Sequence, residues 1–245
     1  MSAAVAVVPT ARKRPAPHPE AHVATKRPRH SGTRSIDDFE LFEVLGEGTE
    51  GVVHRGGTAA PARRRRSNGS ATPTTARSQA GALHACRGHP SVIGIQDVGA
   101  DPKTRDVHLV LELVHGGSSL CDSMWRPLSE DVVSAAKKIH GVGFIHRDMK
   151  PENILVCPFD ELKVYDFGSA TRQMPAGKAH EAHAIRTLEY ISPELLYGNW
   201  YYGPTVDMWG LGCVMAELLS AETLFQETLF QSERREEMLH EMSEL

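Results

Sequence analysis

The chain has 245 residues, 40% of them hydrophobic and only 6% aromatic, which is enough for one large domain or two small lobes. Its net charge of −4 is unevenly placed: residues 1–35 hold seven Lys/Arg against the single acid Glu20, and the remainder holds 20 bases against 30 acids. The four scattered cysteines form no CxxC pair, so neither a disulfide framework nor a zinc site is expected. No apolar run approaches the roughly 18–20 residues of a membrane span, so no membrane association is expected.

The opening "MSAAVAVVP" is apolar, but the basic residues follow it, the wrong order for a secretory signal. Residues 1–36, rich in proline, alanine and basic clusters, are expected to be a disordered basic tail. Within it "RKR" (12–14) and "KRPR" (26–29) resemble a two-part nuclear import signal, giving an expected nuclear or cytoplasmic location. Order is expected to begin near "IDDFELFEVLGEG", where Phe39, Leu41, Val44 and Leu45 form a short strand entering a glycine turn. Residues 54–82 then contain no Val, Ile, Leu, Met, Phe, Trp or Tyr. A buried strand needs such residues, so 54–79 reads as loop.

"ALHACRGHPSVIGIQDVG" reads as a helix end followed by a strand around Ser91–Val98, and "VHLVLELV" (107–114) as a strand buried on both faces. "LSEDVVSAAKKIH" reads as a helix with Ser129 as N-cap, acids in its first turn and Lys137, Lys138 and His140 in its last, complementing the helix dipole at both ends. "VDMWGLGCVMAELLS" (206–220) is apolar nearly all round and reads as a buried central helix. The direct repeat "ETLFQ-ETLFQ" (222–231) reads as a small duplication, since two copies do not make a solenoid.

Two stretches decide the chemistry: "IHRDMKPENIL" (145–155) and "LKVYDFGSA" (162–170). With Gly46, Gly48, Gly51 and Val53 at GxGxxGxV spacing before them, and "RTLEYISPE" (186–194) and "VDMWGLGC" (206–213) after them, they resemble the ordered motif set of protein kinases. The resemblance covers roughly residues 37–220. It implies an α+β, bilobal kinase-like fold: a degenerate, β-rich N-lobe over 37–114, weakest at 54–82 and lacking a recognisable third strand, and a C-lobe over 115–245 that ends soon after the central helix. "LGEGTEGVVHR" and "VDMWGLGCVMAELL" resemble the cyclin-dependent kinases, and "ACRGHPSVIGIQDV" with "GFIHRDMKPENILV" their plant F-type branch.

The resemblance assigns roles residue by residue. Asp148 would accept or orient a substrate hydroxyl, Lys150 would offer a charge to the transferring phosphoryl, and Asn153 would complete the catalytic loop. Asn153 and Asp166 would supply the hard oxygen ligands that suit Mg²⁺. Leu45, Gly46, Glu47, Gly48, Thr49, Glu50, Gly51, Val52 and Val53 would cover ATP, the glycines letting backbone approach the phosphates without a Cβ. Glu112 and Val114 would form the hinge, Thr49 would be a regulatory phosphosite, Arg147 would meet a phosphate on the activation segment, and Asp207 would tie down the catalytic loop. The implied cofactors are ATP and Mg²⁺. The implied partners are protein substrates and, on the faint echo in "PTTARSQ" (73–79), a cyclin; clustered arginines without aromatic interleaving do not mark a nucleic-acid site.

The pattern also fails in places. No lysine lies between Lys26 and Lys103, so the strand after the glycine loop lacks its phosphate-binding lysine, and Arg63–Arg66 stand nearly in its place without apolar neighbours to hold them inward. Gln79 stands where the helix glutamate that pairs with that lysine is expected. The activating threonine position falls near Ala182, and Ile191 and Ser192 replace the usual arginine and alanine of proline-directed kinases. Losing one charge on a transferring phosphate costs about 3–4 kcal/mol. The expected activity is therefore Ser/Thr phosphotransfer of cyclin-dependent type, impaired; the alternatives are a pseudokinase holding nucleotide or a partner, or the product of a decayed or mis-spliced gene.

Overall fold

The computed structural model of the chain describes residues 2–8, 39–48, 51–58, 73–100, 107–123, 130–181, 188–220, 222 and 224–225. The basic clusters at 12–14 and 26–29, Thr49, Glu50, Arg63–Arg66, Ser129 and Ala182 lie outside the described residues. The chain divides into two compact units, one of Met1–Arg77 with Ile95–Leu113, the other of Ser78–Gly94 with Val114–Leu245. Among the described residues no helix is long and apolar enough to cross a membrane.

The first unit is built on a five-stranded antiparallel sheet of β1 (Ser2–Val8), β2 (Phe39–Gly48), β3 (Gly51–Thr58), β4 (Ile95–Ala100) and β5 (Val107–Glu112), in spatial order β2-β3-β1-β5-β4. Its construction departs from the sequence expectation at two points. The amino-terminal segment is not tail throughout, because Ser2–Val8 forms a strand. Residues 54–58 are not loop, because β3 continues through Thr58.

The physical reason is the same for both. A backbone needs its N–H and C=O groups paired far more than it needs bulky side chains. β3 pairs with β2 on one edge and with β1 on the other, so even "HRGGT" has a ladder on both sides. β1 is antiparallel to both neighbours: Ala3 sits opposite Gly56 and Glu112, Val5 opposite His54 and Val110, and Val7 opposite Val52 and His108. Consecutive strands usually pair. The edge of β3 that the next strand in the chain would take is therefore filled from the amino terminus, by "SAAVAVV", which carries neither charge nor proline.

β2 and β3 close on the pair Gly48–Gly51, and β2 is irregular between Leu41 and Val44 and again between Val44 and Gly46. Phe39, Leu41 and Val110 pack together on this sheet.

α1 (Pro73–Ala85) is a second correction within 54–79. Proline at its first position has a pre-set φ and no N–H to leave unpaired, and the alanine-rich sequence after it favours helix. The strand expected at Ser91–Val98 runs instead from Ile95 to Ala100, while Val92 makes an isolated bridge to Val164.

The second unit is mostly helix and short strand. Its elements are β6 (Ser118–Ser119), α2 (Glu130–Gly141), β7 (Phe144–Ile145), β8 (Ile154–Val156), β9 (Leu162–Val164), β10 (Thr171–Arg172), α3 (Pro193–Leu196) and α4 (Thr205–Ser220). β6-β8-β9 form one small sheet and β10-β7 a two-stranded ribbon. The amphipathic α2 buries Val132, Ala135, Ala136 and Ile139.

α4 is not buried all round, as its composition suggests. Val206, Leu211, Cys213 and Val214 are buried, whereas Met208, Met215 and Leu219 are exposed, Leu219 to 81%. Phe225, from the first copy of the repeat, packs with Leu196 and Cys213. The second copy lies outside the described residues. The cysteines are all free, and burial pushes the Cys86 thiol up to about 11 and that of Cys213 up to about 12, so neither is a poised nucleophile.

Candidate active site

The second unit gathers "HRDMKPEN" and "DFG" around one buried carboxylate. Asp207, in the first turn of α4, is 1% exposed. Its Oδ2 accepts from the backbone N of His146 (2.8 Å) and from Nε2 of His140 (2.7 Å), and its Oδ1 accepts from the backbone N of Arg147 (2.7 Å). A buried carboxylate persists only when so supplied with donors. These bonds hold Arg147 in a left-handed conformation, φ 68°, which sets the direction in which the next residues leave.

Helix α4 comes very close to the loop at Gly210. A Cβ there would lie 2.7 Å from the carbonyl oxygen of Met149 and 3.1 Å from its Cβ. Only glycine lets the helix approach at this point. Gly210 was not singled out from the sequence; the available signal was a glycine in the middle of an otherwise apolar helix, which costs about 1 kcal/mol relative to alanine and so implies a packing reason.

Beyond Arg147 the candidate catalytic side chains converge. Nδ2 of Asn153 donates to Oδ2 of Asp148 (2.8 Å) and to the Asp148 carbonyl (2.9 Å). Nζ of Lys150 stands 3.3 Å from the same Oδ2. Both contacts fall on Oδ2, so Oδ1 of Asp148 takes part in neither. The single helical turn Pro151–Asn153, opened by a proline, turns the chain so that Asn153 points back at Asp148.

The second loop is joined to the first by a backbone bond, Tyr165 N to Asn153 O (3.0 Å). His146, fully buried, donates from Nε2 to the Tyr165 carbonyl (3.0 Å) and meets Phe167 edge-on at 4.8 Å. Asp166 is left-handed, φ 55°, and its Oδ1 accepts from Gly168 N (3.1 Å). Burial, then the charge of Asp166, pushes the Tyr165 hydroxyl up to about 12, so it stays neutral beside the carboxylates.

These residues fit a divalent cation. The amide nitrogen of Asn153 is committed to Asp148, which leaves its Oδ1 as the coordinating atom, and Asp166 adds a carboxylate; both are hard oxygen donors.

The residues expected from the sequence to cover a nucleotide belong to the first unit. Leu45, Gly46, Glu47 and Gly48 end β2, and Gly51, Val52 and Val53 begin β3. Glu112 ends β5, and Val114 is the first residue of the second unit's main segment. The seven residues of β1 include no lysine or arginine. Gln79, on α1, is 5% exposed and its Oε1 makes no hydrogen bond among the described residues. Asp148, Lys150 and Asn153 are in direct contact and the loop of Asp166 is tied to Asn153 by a backbone bond, whereas β1, the strand that fills the edge of β3, carries no lysine or arginine.

The protein kinase domain matches residues 39–244. The chain belongs to the protein kinase family. It is 32% identical over 214 residues to the Serine/threonine-protein kinase ppk23 of Schizosaccharomyces pombe, covering 81% of this chain and 53% of that protein. It is also 32% identical to the Putative cyclin-dependent kinase F-2 of Oryza sativa, over 78% of this chain and 64% of that protein. Cell division control protein 2 homolog 3 of Trypanosoma brucei brucei is 31% identical over 82% of this chain and 69% of its own length. The chain spans about half to two thirds of the length of these relatives. A protein kinase domain in general uses ATP and a divalent metal ion.

Proposed function

We propose that this chain transfers the γ-phosphate of ATP to serine or threonine hydroxyls of protein substrates, as a cyclin-dependent-type kinase of reduced rate. The observation that carries this reading is the shared use of Asp148 Oδ2 by Asn153 and Lys150, with the Asp166 loop fastened to Asn153 by a backbone bond. Asn153 orients the Asp148 carboxylate and leaves Oδ1 to accept a hydrogen bond from the substrate hydroxyl. Lys150 holds a positive charge next to that carboxylate, where charge develops on the transferring group. Asn153 Oδ1 and Asp166 would hold Mg²⁺, which neutralises phosphate charge when bound with ATP. Phosphoryl transfer needs positioning and charge and little covalent work by the protein, so these four side chains supply most of what this unit must provide.

The test is transfer of labelled phosphate from ATP to a basic Ser/Thr protein substrate, with and without a cyclin. Asp148→Asn should lower the rate by about 10²–10⁴-fold. It should leave the thermal midpoint nearly unchanged, because Asn153 can still be met by an amide oxygen.

A second reading, a module that binds nucleotide without turnover, is favoured by one feature. Gln79 is buried with an orphaned Oε1 and no basic residue stands on β1, so the cation–carboxylate pair expected of this family has neither half. Saturable binding of a fluorescent ATP analogue together with no transfer in the assay above supports this reading instead.

A further inference from the structure

Arg147 carries a second set of contacts that the transfer chemistry does not use. Its Nε donates to the carbonyl of Ser169, just past the DFG turn, at 2.6 Å. Its Nη1 donates to the hydroxyl of Tyr202 at 2.9 Å. The Tyr202 ring is stacked on His180, with centroids 4.1 Å apart and planes 11° from parallel. His180 is in turn tied to the same segment: its backbone N donates to the Trp200 carbonyl (2.8 Å), and its Nε2 to the Tyr202 carbonyl (3.2 Å). The Tyr202 ring also packs against the cluster of Ile145, Leu195 and Val206, and so is anchored to α3 and α4. The guanidinium therefore joins the beginning of the activation segment, at Ser169, to the residues that follow α3, and His180 fastens the middle of the segment to the same tyrosine.

We propose that Tyr202 and His180 anchor the activation segment to Arg147 without any covalent modification, in the role for which an activating phosphate is otherwise required. This rests on the kinase reading of the site. Three features carry it. The residue near the expected phosphorylation position is Ala182, which has no hydroxyl to modify. Tyr202 presents a neutral phenol: burial raises its pKa, and only in part does the neighbouring Arg147 charge oppose this. A phenol oxygen accepting from a guanidinium is a charge-assisted bond in a partly buried place, where it is stronger than at the surface. Tyr202 and His180 are positioning residues. They act on the substrate-facing segment through Arg147 and have no direct role in phosphate transfer.

Limited trypsin digestion of the full-length protein, with cleavage after Lys178 as the readout, tests the anchor independently of activity. The wild-type protein should keep the same protection before and after treatment with a broad-specificity phosphatase. Tyr202→Phe removes one oxygen and keeps the ring stacked on His180. It should speed cleavage after Lys178 by about tenfold, the size of one lost charge-assisted bond in a local opening, with little change in the thermal midpoint. If transfer to a peptide is measurable, the same variant should lower kcat/KM for the peptide about tenfold and leave the KM for ATP unchanged, a split that a general loss of packing would not give. The proposal is overturned if phosphatase treatment alone makes the wild type equally sensitive, or if Tyr202→Phe cleaves like the wild type. A protein that transfers no phosphate but shows the expected cleavage pattern refutes the kinase reading and leaves the anchor standing.

Discussion

The two units meet their structural demands in different ways. In the second unit every element of the candidate site depends on side-chain identity: a carboxylate at 207 with three donors, an amide at 153, a lysine at 150, and a glycine at 210 where nothing larger fits. In the first unit the demand met is one of backbone. The gap beside β3 needs only an extended segment able to pair on both edges, and Ser2–Val8 supplies it. A sheet can therefore be completed by a segment from elsewhere in the chain, whereas a charge at a defined point cannot. The strand is restored and the lysine is not.

The largest effect should come from attacking that restored strand. Removing residues 1–8 opens a ladder in the middle of the sheet and leaves the facing edges of β3 and β5 unpaired. The loss should exceed the roughly 5–15 kcal/mol that holds a domain together, and circular dichroism of the truncated protein should show the first unit's strand signal gone. Ala4→Pro is a milder version, costing about 3 kcal/mol or more because proline cannot donate to a central ladder. An unchanged melting curve for both variants would mean that β1 does not support the sheet.

The comparison can be sharpened by adding the missing charge. Val5 and Ala6 are neighbours on β1 and lie on opposite faces of the sheet. Substituted singly by lysine, one of the two should raise phosphotransfer by about tenfold to a hundredfold, and the other should not. Equal, null results at both positions would show that the rate is limited by something other than that charge.

A smaller effect is expected at the helix crossing. Gly210→Ala forces a Cβ against the Met149 carbonyl and should cost about 1–3 kcal/mol, read as a lower thermal midpoint. The accompanying fall in activity should be larger than the fall in stability implies, because the displaced residue adjoins Asp148.

The smallest effect is in pH. Burial, then a nearby cation, holds His89 and His180 below the ordinary histidine value of 6.5; for His180 the bond to the Tyr202 carbonyl opposes this in part. The folded state thus favours the neutral rings, and the unfolded chain takes up protons first. The stability this provides is complete above about pH 6.5 and is lost as pH falls through that value toward the folded pKa. Melting temperatures measured between pH 7.5 and 5.5 should decline, with a shallower slope in His180→Gln.

The legible parts of the sequence were those whose signal is local. "HRDMKPEN" and "DFG" carry their geometry in fixed spacing, α2 is marked by the charges at its two ends, and α4 by its continuous apolar run. The pairing of Ser2–Val8 with β5 was not legible, since nothing in "SAAVAVV" names a partner roughly a hundred residues away. Nor was the continuation of β3 through "HRGGT", because β propensity reflects what a strand packs against more than the strand itself. The exposed face of α4 was not legible for a related reason: a helix apolar all round does not say which of its faces finds a neighbour. The Arg147–Tyr202–His180 chain joins residues 22 and 55 positions apart, beyond the reach of any motif.

The position of β1 also has a consequence for how the protein is made. β1 leaves the ribosome before both of its partners, and the second of them, β5, ends at Glu112. At about 5–20 residues per second, roughly 5–20 s pass before the sheet can close. Until then at least one edge of an uncharged, proline-free segment stays open, so the nascent chain offers a binding site to chaperones, and to its own copies, that the finished protein no longer has.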